Sequence, residues 1–255
     1  MDQVFRSDVA LGLPLYREVK HKLMESMRNG EWKPGDMIPA EKRLCERYGV
    51  SVGTLRKAVD ELTAEHILIR HQGRGTFVAS HSQDRYMFGF FHICPKTGNK
   101  EYPQVEFIRL EKEKADADAA RRLGVTKGSR LHCIVNRLSL GGRAVIVDRI
   151  LLPDRFFPGL SETQVSERRT TLYQLYQDGF GVGVLRTEER LDAGGADMEV
   201  AQLLSIAPGT PVLHITRRAF SFEDKVVELR HSWVLTDDHE YFAGVHTSGN
   251  TTSGQ

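Results

Sequence analysis

Residues 39–78 decide how this 255-residue chain is organised, and they read PAEKRLCERYGVSVGTLRKAVDELTAEHILIRHQGRGTFV. The stretch predicts a short helix, a tight turn and a second helix. Gly49 can adopt the left-handed conformation that ends a helix, and Ser51 supplies an oxygen that caps the next one. Leu55, Val59 and Leu62 then fall on one helical face, which predicts a buried stripe. The result is a helix-turn-helix pattern.

A two-stranded hairpin is predicted directly after the second helix. Residues 67–70 and 76–79 have the composition of strands, and residues 71–75 (HQGRG) form the turn between them. Residues 66–78 contain two arginines and two histidines but no acid. Two glycines around Arg74 allow the turn to approach a phosphate chain or a minor groove closely. The alternative is a surface helix pair beside an ordinary hairpin, which the basic hairpin in this order and spacing disfavours.

The pattern therefore predicts binding to duplex DNA. A helix-turn-helix places the N-terminal part of its second helix in the major groove, which makes Thr54, Arg56 and Lys57 candidates for reading bases. Lys42 and Arg43 lie on the first helix, where a phosphate contact and a solvated helix face are competing interpretations. The predicted DNA-binding residues are Lys42, Arg43, Ser51, Thr54, Arg56, Lys57, Gln72, Gly73, Arg74 and Gly75.

Composition limits the other possibilities. The chain is 40% hydrophobic and 27% charged, with a net charge of +1, so DNA binding must depend on local clustering of cations and not on overall basicity. Three cysteines without a CxxC pair indicate reduced thiols, and we find no signal peptide and no apolar run approaching ~20 residues. These features predict a cytoplasmic protein. The histidines and cysteines match no zinc spacing, so neither a metal nor a cofactor is predicted.

Four segments are expected along the chain. A DNA-binding domain spans residues 1–80 and includes a helix from residue 13 to 29, on which Leu15, Val19, Leu23 and Met27 should pack. A polar linker follows at residues 81–86, and a second domain at residues 87–247 begins with a strand at residues 87–93. Residues 248–255 should form a flexible tail, because their composition is too polar to pack.

The first domain resembles the winged helix-turn-helix of GntR-family bacterial transcription regulators, without a gap over residues 13–79. The resemblance implies that Arg56 and the wing Gly73-Arg74-Gly75 contact DNA. Lys42 stands where the family commonly has a DNA-contacting arginine, and Val52 stands where another is common, so one expected guanine reader is absent. The motifs that carry the resemblance are Leu15-Tyr16, Gly30, Pro34-Gly35, Pro39-Ala40-Glu41, Gly49-Val50-Ser51, Thr54-Leu55-Arg56-Lys57-Ala58 and Gln72-Gly73-Arg74-Gly75-Thr76-Phe77-Val78.

The second domain contains an internal repeat. In each copy a helix ends, a glycine-containing turn follows, and a long apolar hairpin carries an arginine and, eleven residues later, an acid. The repeat predicts two similar halves that pair their hairpins in one antiparallel sheet, with a cleft between them. Ala120, Leu123, Val125, Gly128, Arg137 and Asp148 recur as Ala201, Leu204, Ile206, Gly209, Arg217 and Glu228.

This half is similar to the UTRA effector-binding domain of HutC-type GntR regulators over about residues 87–247. The resemblance implies a chorismate-lyase-like α+β fold, a small-molecule sensor and a dimerisation domain. Asp148 stands where the family more often has a glutamate. The similarity is carried by Arg137, Val147-Asp148, Leu152-Pro153, Thr171-Leu172-Tyr173, residues 201–204, Gly209, Val212-Leu213, Arg217 and Val227-Glu228.

A ligand site is predicted where these charges converge. Charged residues on buried strands are costly unless they are paired, and arginine suits a carboxylate or a phosphate. The alternative is a structural ion pair, Arg137 with Glu228 or Arg217 with Asp148. The predicted effector-binding residues are Phe91, His92, Arg137, Ser139, Asp148, Thr171 and Glu228, for a polar or anionic metabolite.

Together these features predict a sequence-specific, DNA-binding transcription regulator that is a homodimer and responds to a small molecule, with repression favoured. One alternative is a DNA-binding dimer whose second domain is structural and binds no ligand. Another is a lyase-like enzyme, for which the sequence shows no nucleophile–base pair, cofactor loop or metal motif. An enzyme would also leave the DNA-binding domain unexplained.

Overall fold

The computed structural model describes residues 14–65, 67–71, 73–79 and 89–243. The chain divides into two compact units, residues 1–80 and 81–255. The predicted linker at residues 81–86, the predicted tail at residues 248–255 and Gln72 lie outside the described residues. None of the helices in the described ranges combines the length and apolarity that crossing a membrane requires.

The first unit is a helix-turn-helix followed by a hairpin. Its helices are α1 (Leu15–Arg28), α2 (Glu41–Tyr48) and α3 (Val52–Ala64), and its strands are β1 (Leu68–His71) and β2 (Gly75–Val78). Gly49 ends α2 with a φ of 64°, and the Ser51 hydroxyl accepts the Thr54 N–H at 3.2 Å to cap α3. Both predicted helix boundaries are therefore confirmed. Together with the β1–β2 hairpin, these helices form the predicted winged helix-turn-helix.

The core of this unit lies between α1 and α3. Helices α1 and α3 pack against each other, and Val19 and Leu23 of α1 and Leu55 and Leu62 of α3 are all buried. The prediction that Leu15 also packs was wrong, since 53% of this residue is exposed. Leu15 is the first residue of α1, at the open end of the helix, so the buried stripe starts one turn later.

The second unit is built on a six-stranded antiparallel sheet. Its strands are β4 (Gln104–Lys114), β5 (Arg130–Leu140), β6 (Arg143–Pro153), β7 (Arg186–Gly195), β8 (Pro211–Phe220) and β9 (Val226–Val234), in the spatial order β4-β5-β6-β9-β8-β7. Its helices are α4 (Ala117–Leu123), α5 (Glu162–Ser166), α6 (Leu172–Phe180) and α7 (Met198–Leu204). A small separate ladder pairs β3 (Ile93–Pro95) with β10 (His239–Tyr241). This is the predicted α+β architecture.

The strand predicted at residues 87–93 was wrong over its described part. Residues 89–92 are not in a strand, and β3 begins only at Ile93. Phe90 and Phe91 are buried, but their carbonyl groups accept from the side chains of Arg217 and Lys100. These carbonyl groups are therefore bonded by side-chain donors and not by the neighbouring strand that the phenylalanine-rich pattern had predicted.

The predicted internal repeat is confirmed as two β-α-β-β units, β4-α4-β5-β6 and β7-α7-β8-β9, whose hairpins meet where β6 pairs with β9. Left-handed residues end α4 and α7, and the following turns contain Gly128 (φ 85°) and Gly209 (φ 81°). Each helix packs across the junction, α4 on β9 and α7 on β6. The two halves therefore share one core.

The charged residues of the repeat do not correspond as predicted. Asn136 lies opposite Asp148, and Arg217 lies opposite Arg230. Carrying the 81-residue spacing of the two glycine turns into the strands makes Arg217 equivalent to Asn136. Their partners across the hairpins, Arg230 and Asp148, are then equivalent as well. The sequence alignment of Asp148 with Glu228 was wrong because the second hairpin has a longer loop, residues 221–225, than the two-residue turn of the first.

Matched helix caps offer a test of the repeat. Asp116 accepts the Ala119 N–H at 2.7 Å, and Asp197, 81 residues later, accepts the Val200 N–H at 2.8 Å. We expect Asp116→Ala and Asp197→Ala each to lower the free energy of unfolding by about 1 kcal/mol, because each leaves a helix N-terminal donor without its acceptor. Urea denaturation measures both, with the exposed Glu167→Ala as the control. A neutral result for one cap alone would contradict their equivalence.

Candidate functional sites

The exposed start of α3 presents two basic side chains. Arg56 is 61% exposed and its Nε donates to Glu41 Oε2 at 2.9 Å. The Lys57 ammonium lies 4.1 Å from the centroid of the Tyr16 ring. The Thr54 hydroxyl lies 2.9 Å from that of Ser51, so both belong to the helix cap. Because an exposed ion pair is weak, Arg56 can exchange Glu41 for another acceptor at little cost.

Three other predicted cations have no partner in the described part of the chain. Lys42 and Arg43 on α2, and Arg74 in the hairpin turn, are exposed. Within the described ranges, their side chains make no ion pair or hydrogen bond. Such cations are available to neutralise phosphates, the contact that supplies most non-specific affinity for DNA.

The hairpin turn depends on glycine. Gly73 has a φ of 71° and Gly75 a φ of 116°, a region that side-chain-bearing residues rarely adopt. A Cβ atom on Gly75 would also lie 2.9 Å from the Met37 Sδ atom. A hydrogen bond closes the turn: the Arg74 N–H, between the two glycines, donates to the His71 carbonyl at 2.9 Å. The turn therefore holds Arg74 at its tip.

A row of polar side chains crosses the middle of the six-stranded sheet on one face. Residues that lie directly opposite each other in neighbouring strands project to the same face. The strand pairing therefore places two aligned sets of side chains on this face. The first set is Asn136, Asp148 and Ser232, and the second is Arg230, Arg217 and Glu189. This polar floor, as we call these six residues, lies on the same side of the sheet as α5 and α6.

Arg230 joins two buried acids. Its Nη1 donates to Asp148 Oδ2 at 3.1 Å, and its Nε donates to Glu228 Oε1 at 3.0 Å. Glu228 also accepts from Tyr173 at 3.1 Å and from Tyr176 at 2.7 Å. Burial, followed by the Glu228 charge, raises the pKa of Tyr176 well above its usual value, which keeps this hydroxyl a donor.

A second ion pair stands beside the first. Arg217 donates to Glu189, which also lies 3.0 Å from His92 Nδ1 and accepts from Tyr241. Burial alone would raise the pKa of Glu189, but the Arg217 charge and the bonds from His92 and Tyr241 outweigh it and lower the pKa to about 2. Glu189 is therefore ionised at neutral pH, and its charge is neutralised within the fold.

A cleft of about 210 Å³ opens over the polar floor. Asn136, Asp148 and Arg230 lie at its base. One wall is the segment at residues 102–107, and the opposite rim is the start of α6. The rim residues are Ser166, Arg168, Arg169, Thr170, Thr171 and Leu172. A water-sized pocket of about 20 Å³ adjoins it, shares Asp148 and Arg230, and is lined in part by Phe91 and His92.

The cleft combines three features that suit a polar ligand. Arg169 is exposed and makes no ion pair among the described residues. The Thr171 hydroxyl caps α6 by accepting the Gln174 N–H at 3.1 Å, and a helix N-terminus attracts anions. Asn136 is only 2% exposed, yet its Oδ1 has no hydrogen-bond partner in the described structure. A ligand that enters the cleft could supply the donor that this buried acceptor lacks among the described residues.

Five of the seven predicted effector residues separate into three groups. Asp148 and Thr171 line the cleft, Phe91 and His92 line the adjoining pocket, and Glu228 is fully buried behind Arg230. Neither predicted ion pair forms, because Arg230 is the partner of both Asp148 and Glu228.

Arg137 and Ser139 do not join the other predicted effector residues. Arg137 is adjacent to Asn136 in β5 and therefore points to the opposite face, where it donates to Glu106 at 2.9 Å and to the Leu203 carbonyl at 3.4 Å. Ser139 follows an irregularity in the β5–β6 pairing and lines neither pocket.

Sequence reasoning missed Arg230, Asn136 and Arg169. The alternation of Glu228, Arg230 and Ser232 along β9 could have placed Arg230 on the same face as the predicted acid. Nothing in the sequence marks Asn136 as unpaired, since that depends on its neighbours across the sheet. The described residues contain no group of three or more His, Cys, Asp or Glu side chains that could hold a metal.

Comparison with known proteins identifies both units. Residues 15–78 match the family described as bacterial regulatory proteins, gntR family, and residues 99–240 match the UTRA domain. The chain is 30% identical to the histidine utilization repressor of Pseudomonas putida over 223 residues, which cover 85% of this chain and 86% of the relative. It is 26% identical to the mannosyl-D-glycerate transport/metabolism system repressor MngR of Escherichia coli (strain K12) over 229 residues, covering 89% and 94%.

A solved structure gives the same result for the second unit. The ligand-binding domain of a protein described as a GntR-family transcriptional regulator, from Bordetella bronchiseptica, superposes with a TM-score of 0.58 at 28% identity. The match covers 61% of this chain and 96% of that one. With its winged helix-turn-helix and its UTRA domain, the chain belongs to the GntR family of bacterial regulatory proteins, and it is a DNA-binding transcription regulator and not an enzyme.

Proposed function

We propose that this regulator is a cytoplasmic homodimeric repressor that binds a palindromic operator and responds to a small anionic metabolite bound in the cleft over the polar floor. Repression is supported by the relatives named as repressors. The effector proposal rests on Asn136 Oδ1, which is buried and has no hydrogen-bond partner among the described residues, at the base of an open cleft whose rim is basic.

Operator reading is assigned to the start of α3. Arg56 is the candidate for a bidentate contact with guanine, the commonest specific contact of arginine in the major groove. Lys42 and Arg43 would bind phosphates, and Arg74 would enter the minor groove from the wing. Two-fold symmetry of a dimer would match two half-sites of one operator.

The charges of the cleft suggest how the ligand is oriented. The floor and the acid behind it contain two arginines, Arg217 and Arg230, against three acids, Asp148, Glu189 and Glu228, so the acids of this layer outnumber its arginines by one. The rim carries Arg168 and Arg169. A ligand should therefore place its phosphate or carboxylate at the rim and direct hydroxyl or amino donors toward Asn136 and Asp148.

A purely structural second domain is the competing function. Leaving a buried acceptor such as Asn136 Oδ1 without any donor costs about 1–3 kcal/mol, and a ligand in the adjoining cleft could supply that donor. The open cleft beside Asn136 therefore favours a ligand-binding domain. Since the ligand acts only through its preference for one conformation, its effect must appear as a change in operator affinity.

The base-reading role can be separated from phosphate binding by two variants. We expect Arg56→Ala to lose about 1–3 kcal/mol of operator binding, with little loss on random duplex. Lys42→Ala should weaken both duplexes similarly and reduce the salt dependence by about one counterion. Fluorescence anisotropy with a promoter fragment and a scrambled duplex, over a range of salt concentrations, measures both. An equal loss on the two duplexes for Arg56→Ala would remove its base-reading assignment.

The effector site can be tested by comparing the two sheet faces. A thermal-shift screen of sugar phosphates and small carboxylates should find compounds that stabilise the folded protein. For such a compound we expect Arg169→Ala to weaken binding about 10-fold or more, because a charge-assisted hydrogen bond contributes roughly 1.5–3 kcal/mol. Arg137→Ala, on the opposite face, should bind normally. Loss of binding in Arg137→Ala with retention in Arg169→Ala would place the site elsewhere.

A further inference from the structure

The outer strand β7 is an open sheet edge. It pairs with β8 along its whole length without any irregularity, and eight of its ten residues are exposed, including Leu191 at 47%. Among the described elements, only β8 packs against it extensively. The other outer strand, β4, has a break in its register between Phe107 and Arg109 and is packed by α5. Proteins usually protect a long regular edge or pair it.

The backbone of β7 is arranged for a further strand. In an antiparallel ladder, alternate residues bond to each neighbour. The Ala196 N–H donates to the Thr210 carbonyl at 2.9 Å, so the even-numbered residues of β7 bond toward β8. The N–H and C=O groups of Thr187, Glu189 and Leu191 therefore point to the open edge.

The charges of β7 are complementary to a second, antiparallel copy of the same strand. A two-fold axis at Glu189 would oppose Arg186 to Asp192 and Glu188 to Arg190, each twice, while Thr187 opposes Leu191. These charged pairs fall at the non-hydrogen-bonded positions, where side chains come closest. Arg190 and Asp192 are exposed and, within the described ranges, make no hydrogen bond or ion pair. The second copy would supply the partners that both lack.

Other registers fit less well. An axis at Glu188 would oppose Arg186 to Arg190 and Glu188 to itself. An axis at Arg190 would oppose Glu188 to Asp192 and Arg190 to itself. An axis at Leu191 keeps a single kind of opposite-charge pair, Arg190 with Asp192. Because like charges that are directly opposite destabilise a sheet, the charges select the axis at Glu189.

We infer that two copies of this chain pair through β7 about a two-fold axis at Glu189, which joins their sheets into one continuous antiparallel sheet. An interface of this kind is self-complementary, as two-fold dimers require. Glu189 faces its own copy at the axis, but Arg217 neutralises its charge within each subunit. The inference specifies the homodimer of the proposed function and requires neither operator nor effector.

Two experiments on the full-length protein test the register. In sedimentation equilibrium, Arg190→Glu should weaken dimerisation about 10-fold, because it places two acids opposite each other twice. Lys127→Glu makes the same charge change at an exposed residue that has no side-chain partner among the described residues, and it should dimerise normally. Circular dichroism checks that both variants remain folded.

Disulfide trapping tests the geometry independently. The double variant Glu188→Cys/Arg190→Cys should form a covalent dimer on mild oxidation, whereas Arg190→Cys alone and the parent chain with its native thiols should not. A monomeric parent chain, a dimerisation constant unchanged in Arg190→Glu, or a dimer that the cysteine pair fails to trap would each overturn the proposal. DNA and metabolites are absent from both experiments, so failure here leaves the operator and effector proposals standing.

Discussion

The second unit depends on one guanidinium group buried between two acids. Arg230 is 4% exposed and bridges Asp148 of one half of the repeat to Glu228 of the other. Removing one partner of a buried ion pair is far more costly than the pair is stabilising, because it leaves an uncompensated charge. The triad therefore constrains how β6 and β9 meet, and Tyr173 and Tyr176 extend that constraint to α6 by binding Glu228.

The two halves of the repeat differ at the floor of the cleft above this triad. The two hairpins meet at the centre of the sheet, so the residues on either side of the β6–β9 junction come from different halves and need not match. Asn136 and Arg217 occupy equivalent positions in the two halves. Arg217 is paired with Glu189, whereas Asn136 Oδ1 has no partner in the part of the chain that the structure describes. This asymmetry is why we propose the ligand site in the half that contains Asn136.

The sequence was informative wherever structure depends on local chemistry. The Gly49 and Ser51 boundary, the glycine turn around Arg74 and the repeated helix ends could all be derived from single residues and their spacing. The direction of Arg137 could not, because which face of a strand lines a cleft depends on where the helices pack. The role of Arg230 also required the strand register, since a pattern of alternating polar residues shows that they share a face but does not identify their partners.

The polar floor also connects the cleft to the beginning of the second unit. Arg217 lies opposite Arg230 in the sheet, and it donates to Glu189 and to the Phe90 carbonyl. His92 and Tyr241 converge on the same Glu189 carboxylate, and β3 and β10 pair immediately beside them. A ligand that redistributes the bonds of Arg230 thus acts one strand away from the group that holds residues 90–92 in place. The positive charges of Arg217 and Arg230 are each paired with an acid, Glu189 and Asp148, so one continuous row of side chains contacts both the cleft and residues 90–92.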